Sequence, residues 1–236
     1  MSTLLLLHGA WQGAWCWSPL QEELTSLGVE SIAVDLPAGE PEAGIDRDVD
    51  VAREAAEGID DVVVVAHSLA GLVAPAVAER LGARGIVMLS ALWPQPGRSA
   101  REQARQVPGI YTEAYRQAPQ VRYADGSTGL PPDVARDLLY QDCDPGVAAD
   151  AAARLRPQHW GIWREACPLV HWPDIPTVGY ACEHDHMLGR EGMILGSERA
   201  SAPLSWLDSG HSPMLSMPAH LAQVLAETTG TFTRPD

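Results

Sequence analysis

The chain has 236 residues, 46% of them hydrophobic, which is enough to bury the core of one substantial domain with room for an insertion. A formal net charge of −15 makes nucleic acid and anionic membrane surfaces poor partners, and the absence of any lysine excludes every mechanism that needs one. Cys16, Cys143, Cys167 and Cys182 form no C-x-x-C pair, and a chain of this size needs no staples, so reduced thiols in a cytoplasmic protein are expected. The apolar run Leu4 to Leu7 is too short for a signal-peptide core, and no run approaches the roughly 20 residues of a membrane span.

Residues 3–7 predict a buried first strand, followed by the glycine-bearing loop His8-Gly9-Ala10-Trp11. Ser18-Pro19 opens a helix to about Leu27, stopped by Gly28. Residues 31–34 read as a strand, the acidic stretch to Gly44 as a loop, and 46–57 as a helix. Val62 to Ala66 is a run of β-branched residues that predicts a buried strand, and 69–81 has a helical composition. Residues 85–90 form the next strand. From Trp93 to Trp172 prolines break the chain into short helical pieces with no buried strand, and the strand pattern resumes at 177–182. A helix over 190–199, a strand over 204–207 and a helix over 214–227 complete the pattern. Alternating strands and helices predict a parallel sheet covered on both faces, with a core of residues 1–92 and 173–236 and a helical insertion over 93–172.

Active residues of an open parallel sheet gather beyond the carboxyl ends of its strands. Ser68 sits where a buried strand turns directly into a helix, between the small residues Ala66 and Ala70, a tight turn that holds a side chain clear as a nucleophile requires. Glu183-His184-Asp185-His186 follows the 177–182 strand, and Ser209-Gly210-His211 follows the 204–207 strand. In that order a serine, an acid and a histidine can work together: the histidine takes the hydroxyl proton, and the carboxylate fixes its tautomer and supports its positive charge. His211 is the expected base and Asp185 the expected acid, preferred to Glu183 because it lies deeper in the loop. His67 is expected to pack or make a loop contact, and His8 to shape the first loop. The backbone N–H groups of Leu69 and Ala10 are the expected oxyanion donors. A second reading takes His184, Asp185, His186 and His211 as a zinc site, which leaves the serine turn unexplained.

The run His8-Gly9-Ala10-x-x-Gly13-Ala14-Trp15-x-Trp17, with Ala66-His67-Ser68-Leu69-Ala70-Gly71 and His211-x-x-Met214-Leu215-x-x-Pro218, resembles the α/β-hydrolase branch of the plant methyl esterases and hydroxynitrile lyases. Leu139-Tyr140-Gln141-Asp142-Cys143 and Leu155-Arg156-Pro157 are similar to a cap signature of that branch. The resemblance implies an α/β-hydrolase fold, a mostly parallel sheet with helices on both faces and a helical cap inserted after the sixth-strand equivalent. It also implies a Ser68, Asp185, His211 triad and a pocket for a small, largely apolar substrate. Gly9 and Ser212 stand where the lyases carry threonine and lysine, which argues for ester hydrolysis over cyanohydrin cleavage.

The expectation is therefore a serine hydrolase that cleaves a small carboxylic ester through an acyl-enzyme, without a cofactor or metal. Trp11, Trp93, Tyr115, Trp160 and Trp163 are candidates to line the pocket. The alternatives are a lyase or cyclase using the same Ser-His pair as a base, and a non-catalytic binder. The partner expected is a small-molecule ester, with a homodimer as an assembly open to the chain.

Overall fold

The computed structural model describes residues 2–232. Four strands come first: β1 (Thr3–Leu7), β2 (Ser31–Val34), β3 (Val62–His67) and β4 (Gly85–Leu89). The short strands β5 (Val121–Arg122) and β6 (Thr128–Gly129) pair only with each other, and β7 (Thr177–Cys182) and β8 (Leu204–Leu207) rejoin the main sheet. All pairings of the main sheet are parallel, in the order β2-β1-β3-β4-β7-β8. The chain moves outward from β1 to β2 and then crosses back to β3 on the other side of β1. A crevice opens at the carboxyl ends where that direction reverses, so the loop after β1 and the turn after β3 face each other there.

The unbroken apolar runs of β1 and β3 are what a strand covered on both sides requires. Leu4, Leu6, Val63, Val65, Val87 and Leu89 share one core with Leu20 and Leu24 of helix Ser18–Ser26 and Leu221 and Leu225 of helix Pro218–Thr231. Leu5, Leu7, Val64, Ile86 and Met88 belong to the opposite core, with Val49 and Ala52 of helix Ile45–Ala55 and Val77 and Ala78 of helix Ala74–Leu81. Each buried Val, Leu, Ile or Met among these stabilises the fold by about 1.5–3 kcal/mol through its removal from water.

Two of the expected helices are broken, and proline is the cause in both. The stretch 69–81 divides into a 3-10 turn, Ser68–Leu72, and the helix Ala74–Leu81, because Pro75 has no N–H to donate back to the preceding turn. Likewise 214–227 divides into Pro213–Ser216 and Pro218–Thr231 at Pro218. The insertion contains the helices Ala100–Gln106, Glu113–Gln117, Pro132–Leu139, Pro145–Ala153 and Gly161–Arg164. It also holds the β5-β6 ladder, which the sequence reading did not anticipate: two residues a side are too few to show alternation.

Hydrogen bonds tie this insertion to loops at the carboxyl end of the sheet. The Arg156 N–H donates to the Trp11 carbonyl at 2.9 Å and Gln141 Nε2 to the His184 carbonyl at 2.7 Å. Asp142 Oδ2 accepts from the Gly210 N–H at 2.7 Å and from Ser209 Oγ at 3.0 Å. The segment thus lies across the loops that follow β1, β7 and β8.

Near the insertion, Asp48 is buried beside Glu165 and Glu40, and burial together with their charges pushes its carboxyl up to about 7. The ordinary value is about 3.9, so between roughly pH 4 and 7 the folded state holds a proton that the unfolded chain releases. The fold therefore loses stability at this residue as pH rises through that window. Asp48→Asn is expected to raise the unfolding free energy by roughly 1–3 kcal/mol at pH 8 and to leave it nearly unchanged at pH 4, as read by urea titrations at the two pH values.

Candidate active site

Ser68 follows β3 directly, with φ 55°, a left-handed conformation uncommon for a side-chain-bearing residue, and the strand-to-helix turn imposes it. Close backbone approach on both sides makes the turn possible. A Cβ on Gly9 would sit 2.8 Å from Ser68 Cβ, and a Cβ on Gly71 would sit 2.3 Å from the Leu92 carbonyl oxygen. Ala66 and Ala70, both buried, fill the flanking positions.

His211 lies between Ser68 and Asp185. Its Nε2 is 3.0 Å from Ser68 Oγ, and its Nδ1 is 2.8 Å from Asp185 Oδ2. A carboxylate accepts only, so Nδ1 carries the proton and the Nε2 lone pair faces the Ser68 hydroxyl. Asp185 takes three further hydrogen bonds: from the Met187 N–H at 2.7 Å and the Leu188 N–H at 2.9 Å on Oδ1, and from Ser90 Oγ at 2.8 Å on Oδ2. Burial drives this carboxyl up, but His211 and the Leu188 and Met187 amides outweigh it and hold the net value below the ordinary carboxylate range. Glu183 turns outward and pairs with Arg190. Chemically, the arrangement can draw a proton from Ser68 onto His211 while Asp185 supports the resulting cation.

Two further buried histidines border this chain, and both are neutral. His67 donates from Nε2 to the His211 carbonyl at 2.8 Å, with its ring 4.7 Å from that of His211. Burial, and then the neighbouring His211, lower it to about 3. His8 donates from Nδ1 to the Gly9 carbonyl at 2.9 Å and accepts at Nε2 from the Leu36 N–H at 3.0 Å and from Arg156 at 3.2 Å. Burial lowers it to about 4. The first histidine steadies the loop that carries His211, and the second shapes the loop after β1, as the sequence implied for each.

In that loop, the Ala10 N–H meets no protein acceptor among the described residues. Leu69 is second in its 3-10 turn, where N–H groups have no partner within the helix. His184 and His186, the other histidines of the zinc reading, diverge: His184 Nε2 meets Asp208 at 2.8 Å and His186 Nδ1 meets the Asp137 carbonyl at 2.8 Å.

Of the aromatic candidates, Trp11, Tyr115, Trp160 and Trp163 come together. The Trp11 ring lies 5.4 Å from Trp160 and 6.5 Å from Tyr115, and Trp160 lies 6.3 Å from Trp163. Trp93 stands outside this cluster, packed against Trp172 at 5.5 Å and against Gly196, because the smallness of Gly196 leaves a slot for its indole. Sequence reasoning assigned no role in the site to Ser90, Asp142 or Arg156, although Ser90 lies just past a strand, at the edge of the sheet where functional side chains gather, and Asp142 and Arg156 lie within the cap signature.

Ser90 is fully buried, takes φ 39°, accepts from the Cys182 N–H at 3.2 Å and donates to Asp185. Its removal leaves a buried carboxylate one donor short. Ser90→Ala is expected to lower the unfolding free energy at pH 7 by about 1.5–3 kcal/mol, against less than about 0.5 for Glu183→Gln on the surface, as measured by chemical denaturation.

A model of the "Alpha/beta hydrolase family" matches residues 4–224. A "Probable hydrolase R7" from Phoma sp. is 27% identical over 246 residues, covering 96% of this chain and 98% of its own. A "Carbendazim hydrolyzing esterase" from Nocardioides sp. is 32% identical over 111 residues, covering 42% of this chain and 46% of its own. Among solved structures, a methylesterase protein MES16 from Arabidopsis superposes with a TM-score of 0.78 at 21% identity, covering 98% of this chain and 99% of its own, a likeness of fold.

Proposed function

The chain belongs to the alpha/beta hydrolase family, and from that premise we propose that it is a serine esterase that cleaves a small carboxylic ester through an acyl-enzyme. The observation that carries this reading is the hydrogen-bonded chain from Ser68 through His211 to the buried Asp185, at 3.0 and 2.8 Å. Ser68 Oγ attacks the ester carbonyl while His211 Nε2 takes its proton. The same proton then goes to the departing alkoxide, which leaves as the alcohol, and the acyl group stays on Ser68. His211 then takes a proton from water as the water oxygen attacks the acyl-serine, and returns it to Ser68 Oγ as the acyl–oxygen bond breaks, releasing the acid and restoring the free serine.

Charge develops on the carbonyl oxygen in both steps. The N–H groups of Ala10 and Leu69 are the donors proposed for it, and backbone dipoles held in place before the reaction are worth more there than water, which would have to reorient. Asp185 keeps His211 in the tautomer that presents a lone pair to Ser68. The names of the relatives, a probable hydrolase and an esterase, support the reaction class. The segment 93–172 is read as a cap that selects the substrate: it carries Tyr115 and Trp160, which meet Trp11 one residue beyond Ala10, and Trp163, which packs on Trp160.

A panel of methyl and aryl esters tests this reading. Ser68→Ala is expected to lower kcat by at least about 10⁴, and Asp185→Asn by about 10⁴ with little change in KM, since it leaves His211 in the wrong tautomer. Glu183→Gln is expected to stay near the parent. Full activity in Ser68→Ala, or a greater loss in Glu183→Gln than in Asp185→Asn, would refute the assignment. Trp160→Ala is expected to raise KM with kcat nearly constant, because a remote wall of the pocket holds ground state and transition state alike.

A further inference from the structure

Beside the Trp11 cluster lies a cavity of about 260 Å³, open to solvent and lined by Tyr115, Gln120, Arg122, Trp160, Trp163 and Arg164. Its size is near the small end of ligand pockets, which span about 300–1,000 Å³, and suits one or two fused rings. The hydrogen-bonding capacity of its walls is unevenly spent. The Trp160 N–H donates to Thr128 Oγ1 at 2.9 Å and the Trp163 N–H to Tyr111 Oη at 2.8 Å, so both indoles offer only their faces. Thr128 Oγ1 also accepts from Trp11 Nε1 at 3.3 Å, which uses its remaining acceptor capacity.

The two guanidiniums differ from the other walls. In a chain with 31 acidic residues against 16 basic ones, neither Arg122 nor Arg164 meets a carboxylate within ion-pairing distance among the described residues. The neighbouring acids are engaged elsewhere: Asp125 accepts from Ser127 Oγ at 2.7 Å, and Glu165 accepts from the Ile45 N–H at 2.8 Å. The cavity therefore combines aromatic faces with cationic donors and presents no anion of its own. An uncharged ring alone would leave the guanidiniums without partners. A ring that bears a carboxylate satisfies both surfaces, with its plane on the indoles and its oxygens on the forked N–H groups.

We propose that this cavity binds an aromatic carboxylate, and that the ester cleaved at Ser68 carries such a group on the half remote from the scissile bond. The second clause rests on the esterase reading above. The link between the two places is Trp11, whose ring touches the cavity wall at Trp160 while its backbone follows Ala10, and Gly9 in the same loop abuts Ser68. The arginines sit at the solvent-facing rim, where a charged end can stay partly hydrated while the reacting carbonyl lies deeper.

The test uses full-length Ser68→Ala, which binds without turnover, and two probes of equal shape: 1-naphthoate and 1-naphthamide. Affinities are read by quenching of tryptophan emission and by calorimetry. Naphthoate is expected to bind about tenfold or more tightly than naphthamide, the scale of one charge-assisted hydrogen bond. Adding R122Q and R164Q, both surface changes whose folding is checked by circular dichroism, is expected to remove that preference and to leave naphthamide within about twofold. Adding W160A is expected to weaken both. Equal affinities in Ser68→Ala, no binding of either probe, or naphthoate affinity unchanged by R122Q/R164Q would overturn the proposal. Naphthoate binding with no ester hydrolysed by the native chain would overturn the esterase reading and leave the site standing. Hydrolysis of neutral esters with no preference for naphthoate would do the reverse.

Discussion

Asp185 is an ionised carboxylate removed from water, and an uncompensated charge of that kind costs several kcal/mol. Its four donors come from three places: Ser90 after β4, the Met187 and Leu188 amides of its own loop after β7, and His211 after β8. No one of these loops can satisfy it alone. The parallel register of β4, β7 and β8 sets the three loop origins side by side, so the sheet makes this convergence available. Once the carboxylate is held, the direction of its free lone pair decides where His211 Nδ1 must point, and hence where Nε2 meets Ser68.

A second constraint comes from the other half of the sheet and concerns space. Ser68 lies at the β1/β3 crevice because the chain reverses its direction of travel there. The turn can be tight only where neighbouring backbone comes near it, and Gly9 and Gly71 permit that approach on opposite sides. Arg156 then fastens the first loop from the insertion: its side chain donates to the Gln12 carbonyl at 2.8 Å, to the Leu36 carbonyl at 2.8 Å and to Asp35 Oδ1 at 2.8 Å. Asp142 does the same for the loop that carries His211. The insertion thus braces both the loop of Ala10, one of the proposed oxyanion donors, and the loop of the histidine.

Much of this was legible in the sequence, for physical reasons. Short apolar runs such as Leu4-Leu5-Leu6-Leu7 and Val62-Val63-Val64-Val65 have few ways to be buried except as central parallel strands, so the sheet could be read directly. The order of Ser68, Asp185 and His211, each just past a strand, pointed to one edge of that sheet, and the three side chains meet there. The breaks at Pro75 and Pro218 were present as letters but were outweighed by the helical composition around them. β5 and β6 are too short to carry a period. Ser90, Asp142 and Arg156 act across 67 to 148 residues of sequence, and such long-range pairings depend on how the strands align and how the insertion folds back, which no local pattern encodes. Trp93 lies in the same region but packs against Trp172, apart from the Trp11 cluster, a division that no local pattern reveals.

The central claim is that Ser68 carries the acyl group between the two halves of the reaction. Replacing His211 by alanine should slow deacylation as well as acylation, so an activated aryl ester with a good leaving group is the substrate of choice for trapping. Intact-protein mass spectrometry after a brief incubation, followed by peptide mapping, should find the mass of one acyl group on the peptide containing Ser68, and none in Ser68→Ala. An acyl adduct on another residue, or hydrolysis of the same ester by the native enzyme with no adduct on Ser68 in either the native or the His211→Ala protein under rapid quenching, would contradict the account.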